Sequence, residues 1–108
     1  MGFSQGAAAA AMLCAEYRPR FGVFVSGFVP RDREAARALH AGVDDTIPTL
    51  HVLGQNDELV VPERSRALVD LFADATVIEH EGGHMIPSKS EVRKQVASFM
   101  NGRFDLAQ

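Results

Sequence analysis

Three residues that lie far apart in the sequence could together perform nucleophilic catalysis: Ser4, Asp57 and His84. Ser4 lies in GFSQG, a G-x-S-x-G pattern that is typical of a sharp strand-to-helix turn presenting a nucleophilic serine. A serine hydroxyl is a weak nucleophile at neutral pH, so it needs a base within hydrogen-bond reach, and the base needs an orienting carboxylate. The sequence predicts His84 as this base and Asp57 as this carboxylate.

The predicted strands explain how these residues could meet. Asp57 follows the buried-type strand 49–54, TLHVLG, and His84 follows the strand 75–79, ATVIE, behind two glycines. Open α/β sheets form their sites at the carboxyl ends of parallel strands. The chain order Ser, Asp, His is also the order found in α/β-hydrolases.

Other acids remain as alternatives to Asp57, because aspartates are common in turns. Glu58 is its neighbour, and Asp44 and Asp45 lie upstream. The last two precede the strand TLHVLG and are therefore expected at the opposite end of the sheet.

The remaining segments predict helices that alternate with strands. The run 21–28, FGVFVSGF, is continuously apolar and typical of a strand buried on both faces. Helical patterns cover the Ala-rich segment 5–16, the segment 31–41, a stretch starting at Pro62, and a last stretch that begins at the capping box SKSE and ends at Gly102. This alternation predicts an α/β fold with a three-stranded parallel sheet flanked by helices.

The composition fits one globular domain and excludes several classes of function. The chain has 108 residues, of which 46% are hydrophobic, and a formal net charge of −3. Its basic residues form no stripe for nucleic acid, and no apolar run approaches the roughly 18 residues of a membrane span. The single cysteine, Cys14, cannot form an internal disulfide, which favours a cytoplasmic protein. The four histidines lack metal-ligand spacing, so we expect no metal.

Four segments carry a resemblance to a known family. In order, GFSQGAA, VSGF, PTLHVLGQNDELVVP and EHEGGHMIP resemble the α/β-hydrolase family of serine hydrolases that includes the ovarian-cancer-associated esterase of animals and its fungal relatives. The resemblance extends from Gly2 to about Phe99 and corresponds to the C-terminal half of the family's domain. Acyl-protein thioesterases have a similar GFSQGG turn, but VSGF and HEGGHMIP favour the first family.

The resemblance implies an esterase or thioesterase that needs no cofactor and acts on small acyl esters; some fungal members release polyketide chains from a synthase. It makes Ser4 the nucleophile, Asp57 the acid and His84 the base. The backbone N–H of Gln5 would supply one oxyanion-hole donor, since it lies at the start of a helix.

Further residues are predicted around the turn. Gly2 and Gly6 are expected to be required sterically, because a strained turn leaves no space for side chains. Phe28 and Met85 are candidates for the substrate pocket. It is equally consistent with the sequence that Phe28 ends a core strand and that Met85 anchors its loop.

A sheet that begins after the serine turn would expose the edge on which the nucleophile strand should pair. We therefore expect residues 1–108 to be the C-terminal part of a single α/β-hydrolase domain that lacks the N-terminal strands and the loop with the second oxyanion donor. The activity is accordingly expected of the longer parent protein, and little turnover is expected of this chain alone, because losing one such donor typically lowers the rate roughly 10²- to 10³-fold. Three other functions stay open: a non-catalytic remnant that binds partners through its sheet edge, an acyl-protein thioesterase-like enzyme, and a transferase or lyase on the same scaffold.

Overall fold

The computed structural model describes residues 2–17, 19–42, 47–85 and 90–106. Strands and helices alternate along these residues, as the hydrophobic pattern predicts. Their bounds are β1 Gly2–Phe3, α1 Gln5–Tyr17, β2 Gly22–Val25, α2 Arg33–Gly42, β3 Thr49–Gly54, α3 Pro62–Val69, β4 Ala75–His80 and α4 Ser90–Leu106.

The sheet is parallel throughout and has the strand order β1-β2-β3-β4. The prediction of a parallel sheet flanked by helices is confirmed, but the sheet has four strands where three are predicted. The additional strand is β1, in which Gly2 and Phe3 pair with Phe24 and Val25 of β2. Two residues are too few to produce a hydrophobic pattern, so this strand cannot be recognised from the sequence.

Two predicted boundaries differ from the observed ones by three residues or more. The strand expected over 21–28 covers only Gly22–Val25, because Ser26 has a φ of 53°, which is incompatible with extended backbone. The last helix continues past Gly102, its predicted end. The first two residues of the predicted capping box lie outside the described residues.

The core lies on both faces of the sheet. All residues of β2 and β3 are buried, as expected for parallel strands with helices on each side. On one face, α1, α2 and α3 surround a cluster formed by Ala7, Ala11, Cys14, Phe24, Leu39, Leu68 and Phe72. On the other face, α4 covers a cluster formed by Val23, Val25, Leu50, Val52 and Val92.

The edge strand β4 is less buried, and Val77 on it is 42% exposed. Among the described residues, no helix has both the length and the apolar character that a bilayer crossing requires.

Candidate active site

The turn between β1 and α1 holds Ser4 in a strained conformation. Its φ is 56°, in the left-handed region that costs a non-glycine residue about 1–2 kcal/mol. Its N–H donates to the carbonyl oxygen of Val25 at 2.8 Å, and its own carbonyl accepts from the N–H of Ala8 at 3.1 Å. The turn is thus tied to β2 on one side and to the first turn of α1 on the other. This is the backbone geometry of a nucleophile elbow.

The two glycines of the elbow differ in their steric surroundings. A Cβ on Gly2 would lie 2.7 Å from the Cα of Ala7 and would overlap the carbonyl oxygen of Gly6, so only glycine fits there. A Cβ on Gly6 would have no heavy atom within 4 Å beyond its own helix and chain neighbours in the described structure. The prediction that Gly6 is sterically required is therefore wrong, since this position of α1 is exposed.

Asp57 and His84 are joined by a hydrogen bond. The distance between Asp57 Oδ2 and His84 Nδ1 is 2.9 Å, and the other carboxylate oxygen accepts from the N–H groups of Leu59 at 3.0 Å and Val60 at 2.8 Å. Burial alone would raise the pKa of Asp57, but the hydrogen bonds from Val60, His84 and Leu59 and the charge of His84 hold it below its ordinary value. Asp57 is therefore a buried carboxylate that is stabilised in its ionised form.

Backbone hydrogen bonds hold the loop of Asp57 against the loop of His84. The N–H of Gln55 donates to the carbonyl oxygen of His80 at 2.8 Å, and that of Asn56 donates to Gly82 at 3.2 Å. A Cβ on Gly54 would lie 2.5 Å from the carbonyl oxygen of Gly82, so the close approach of the loops depends on a glycine at the end of β3. The two loops thus form one unit at the carboxyl edge of the sheet.

The imidazole of His84 also contacts the elbow. Its ring centroid lies 4.9 Å from that of Phe3, the residue before Ser4. Ser4 and His84 are not hydrogen-bonded to each other in this structure. In enzymes without substrate, the bonds between catalytic groups are often long and tighten only when substrate binds. The structure thus brings Asp57 and His84 into contact and places His84 beside the residue that precedes Ser4.

A cleft of about 470 Å³ opens next to the elbow. Its lining includes Gln5, which follows Ser4 directly, and Phe28, one of the two predicted pocket residues. Met85 does not line this cleft; it is 47% exposed, and its sulfur lies near Gly82.

Ser26, at the carboxyl edge of the sheet, is not predicted from the sequence as a special position. It follows β2 with a φ of 53°, its N–H donates to Val52 at 2.8 Å, and it is fully buried. Its hydroxyl has no hydrogen-bond partner among the described residues. A polar residue within the apolar run FGVFVSGF was the available signal.

Two further titratable groups, His51 and Cys14, lie in the core. His51 bonds to the Thr49 hydroxyl at 2.9 Å, and burial lowers its pKa to about 4. Burial likewise raises the pKa of the Cys14 thiol. Within the described part of the chain, no group of three or more His, Cys, Asp or Glu residues could hold a metal ion.

Solved structures of similar fold include acyl-protein thioesterase 2 of Zea mays, with a TM-score of 0.72 and 23% identity over 94% of this chain and 54% of that one. A cold-adapted esterase from an Arctic intertidal metagenomic library superposes with a TM-score of 0.73 at 16% identity, covering 94% of this chain and 48% of that one. At these identities the likeness shows the fold, which is that of the α/β-hydrolases.

Some proteins related by sequence have a higher identity to this chain than these solved structures have. The chain is 41% identical to esterase OVCA2 of Danio rerio, over 93% of this chain and 47% of that protein. It is 35% identical to esterase OVCA2 of Homo sapiens, over 94% of this chain and 48% of that protein. The chain therefore spans about half the length of these relatives. Residues 1–96 match the family described as serine hydrolase (FSH1). This chain belongs to the FSH1 family of serine hydrolases.

Proposed function

We propose that this chain carries the catalytic serine, histidine and aspartate of an enzyme that hydrolyses carboxylic esters or thioesters of acyl chains. The observation that carries the proposal is the 2.9 Å bond between Asp57 and His84 beside the strained elbow of Ser4. Relatives that are named esterases support the class of reaction. Because the chain spans about half of their length, the activity of the whole protein is part of this proposal.

In the first half of the reaction, Ser4 attacks the carbonyl carbon. As the Oγ–C bond forms, His84 Nε2 accepts the serine proton, and the carbonyl oxygen becomes an oxyanion. The N–H of Gln5, at the positive end of α1, donates to this oxyanion. The bond to the leaving group then breaks, and His84 returns the proton to the departing alcohol or thiol. The product of this half is an acyl-enzyme on Ser4.

In the second half, His84 removes a proton from a water molecule as the water oxygen attacks the acyl carbonyl. The bond between the acyl carbon and Ser4 Oγ then breaks, His84 returns the proton to Oγ, and the carboxylic acid leaves. Asp57 contributes by accepting a hydrogen bond from Nδ1–H, which fixes the tautomer that leaves Nε2 free to take a proton. The low pKa of Asp57 supports this role, because the carboxylate stays ionised beside the imidazolium. The scheme needs no metal or cofactor. We also propose that the protein is cytoplasmic, because its single cysteine, Cys14, cannot form an internal disulfide.

A second candidate function is binding of an extended peptide segment at the edge of the sheet. The residues of β1 pair only with Phe24 and Val25, so Gly22 and Val23 of β2 have no strand neighbour on that side among the described residues. Edges of this kind are used for strand addition.

Labelling with a fluorophosphonate probe tests the proposal, since the probe reacts covalently with an activated serine. We expect the wild-type chain to be labelled at Ser4 and the Ser4→Ala variant to be unlabelled. Ser98→Ala, at an exposed serine on α4, is the matched control and should be labelled like the wild type. Undiminished labelling of Ser4→Ala would remove Ser4 from the mechanism, and absence of wild-type labelling would favour the second candidate.

A further inference from the structure

The cleft beside the elbow has a charged wall as well as an apolar one. Gln5 and Ala8 of α1 form one side, and Phe28 and Pro30 of the β2–α2 loop form the apolar part of the other. The remaining lining residues are charged: Arg31, Asp32 and Arg64. Because Gln5 follows the nucleophile, a substrate bound at Ser4 would extend into this cleft.

The charges leave the cleft with an excess of positive charge. Asp32, the acidic residue that lines the cleft, already accepts a hydrogen bond from the N–H of Ala35 at 3.2 Å, at the start of α2. Neither Arg31 nor Arg64 forms an ion pair with a described residue. The cleft therefore offers two guanidinium groups to a ligand and only one carboxylate, which serves as a helix cap.

Arg64 is held in a defined position. Its guanidinium carbon lies 4.6 Å from the centroid of the Phe28 ring, as in a cation–π contact. A guanidinium in such a contact keeps N–H groups at its edge, and these can bind a carboxylate or phosphate in bidentate fashion.

Buried contacts hold together the two chain segments that carry Arg64 and Phe28. The hydroxyl of Ser65, next to Arg64, donates to the carbonyl oxygen of Gly27, next to Phe28, at 2.7 Å. A Cβ on Gly27 would lie 2.7 Å from a methyl carbon of Leu68, which shows how closely α3 packs on this loop. Arg64 thus stands on a supported element, unlike a typical surface arginine, which adopts many rotamers.

We propose that this cleft binds a negatively charged group carried by the ester substrate, a carboxylate on the acyl side or a phosphate on the leaving-group side, and that Arg64 is its main ligand. This inference rests on the proposed function for the identity of the ligand as an ester. The chemistry shared by both sources is a singly or doubly charged oxyanion at the end of an apolar chain that lies against Phe28 and Pro30.

The test is an NMR titration of the full chain carrying Ser4→Ala, which prevents turnover, followed through the side-chain Nε–H signal of Arg64. The probes are monomethyl glutarate, butyl phosphate and neutral dimethyl glutarate. We expect at least one anionic probe to shift this signal and to bind about tenfold more tightly than the neutral diester, as for a charge-assisted hydrogen bond. The anionic probe that binds more tightly identifies the source of the charge.

Variants distinguish anion binding by Arg64 from nonspecific attraction of the probe to positively charged side chains. Arg64→Gln should weaken binding of the anionic probe about tenfold, measured through backbone signals of the cleft, and Arg64→Lys should restore part of it. Arg93→Gln, at an exposed arginine on α4, should bind like its parent. Equal affinity for the neutral diester, or equal effects of Arg64→Gln and Arg93→Gln, would overturn the proposal.

The NMR titration and the fluorophosphonate labelling distinguish a failure of the cleft assignment from a failure of the esterase proposal. A chain that is labelled by fluorophosphonate but shows no anion preference at Arg64 contradicts only the cleft assignment. Anion binding at Arg64 in a chain without labelling supports the cleft assignment and contradicts the esterase proposal.

Discussion

At the scale of single residues, two buried serines, one directly after β2 and one in the first turn of α3, show how differently the same side chain can be used. Ser26 is 0% exposed and its hydroxyl has no described partner, whereas Ser65 is 3% exposed and donates to Gly27 at 2.7 Å. A buried hydroxyl without a partner costs free energy, and removing a bonded hydroxyl leaves its acceptor unsatisfied. Replacement by alanine should therefore destabilise the chain at Ser65 but not at Ser26.

We predict that Ser65→Ala lowers the free energy of unfolding by about 1–2 kcal/mol, because the buried carbonyl of Gly27 loses its donor. Ser26→Ala should leave it unchanged or raise it slightly, because no hydrogen bond is lost. Urea unfolding of both variants and the wild type measures the difference. Equal losses of stability would show that the hydroxyl of Ser26 is bonded in solution.

At the scale of elements, the elbow depends on how closely β1 approaches α1. A Cβ on Gly2 would overlap the carbonyl of Gly6, so Gly2→Ala must separate the strand from the helix. We expect this variant to lose about 1–3 kcal/mol of stability, as in other overpacked sites, and to lose fluorophosphonate labelling of Ser4.

Gly6→Ala is the matched control for this prediction. Its Cβ would meet open space, and alanine favours a helix over glycine by up to about 1 kcal/mol. Stability and labelling should therefore be maintained or improved, measured by the same unfolding and labelling assays. A greater loss of stability in Gly6→Ala than in Gly2→Ala would contradict the close approach of β1 to α1 at Gly2.

The elements also show what can be predicted from the sequence and what cannot. The apolar run TLHVLG has the same bounds as β3, and α1 begins directly after Ser4 as predicted, because hydrophobic pattern and helix propensity are local properties. The end of β2 depends on the backbone of Ser26, and β1 exists only through pairing with β2. Neither can be recognised from the residues themselves, since both depend on tertiary contacts.

At the scale of the whole molecule, the contact between Asp57 and His84 follows from the register of the sheet. Gly54 and His80, the last residues of β3 and β4, are paired partners, so the two loops leave the sheet at the same level. The sequence predicts which loops carry the acid and the base, but register is a property of the assembled sheet. The arginine over Phe28 was missed for the same reason, since α3 and the β2–α2 loop meet only in the fold.

The interior of the molecule also determines how its stability depends on pH. His51 packs against Phe24 and Phe72, with ring centroids 5.2 and 5.5 Å away, and the two phenylalanine rings stack on each other at 5.6 Å. Burial lowers the pKa of His51 from 6.5 to about 4. The unfolded chain therefore binds a proton at His51 below pH 6.5, whereas the folded chain does so only near pH 4. The contribution of neutral His51 to the free energy of unfolding is fully present above pH 6.5. It falls as the pH decreases towards 4, by about 3 kcal/mol for a pKa shift of this size.

We predict that His51→Leu removes most of this dependence of stability on pH, because leucine can pack against the two aromatic rings and cannot be protonated. His40→Gln, at an exposed histidine on α2, is the control and should lose stability at low pH as the wild type does. Urea unfolding at pH 4.5 and 7.5 gives the loss of stability for each chain, and the other titrating groups are the same in the wild type and in His51→Leu. Since the comparison is between two pH values within one variant, any constant cost of the substitution cancels. An equal loss in His51→Leu and the wild type would mean that His51 is protonated as readily in the folded chain as in water, and that the core around Phe24 admits solvent.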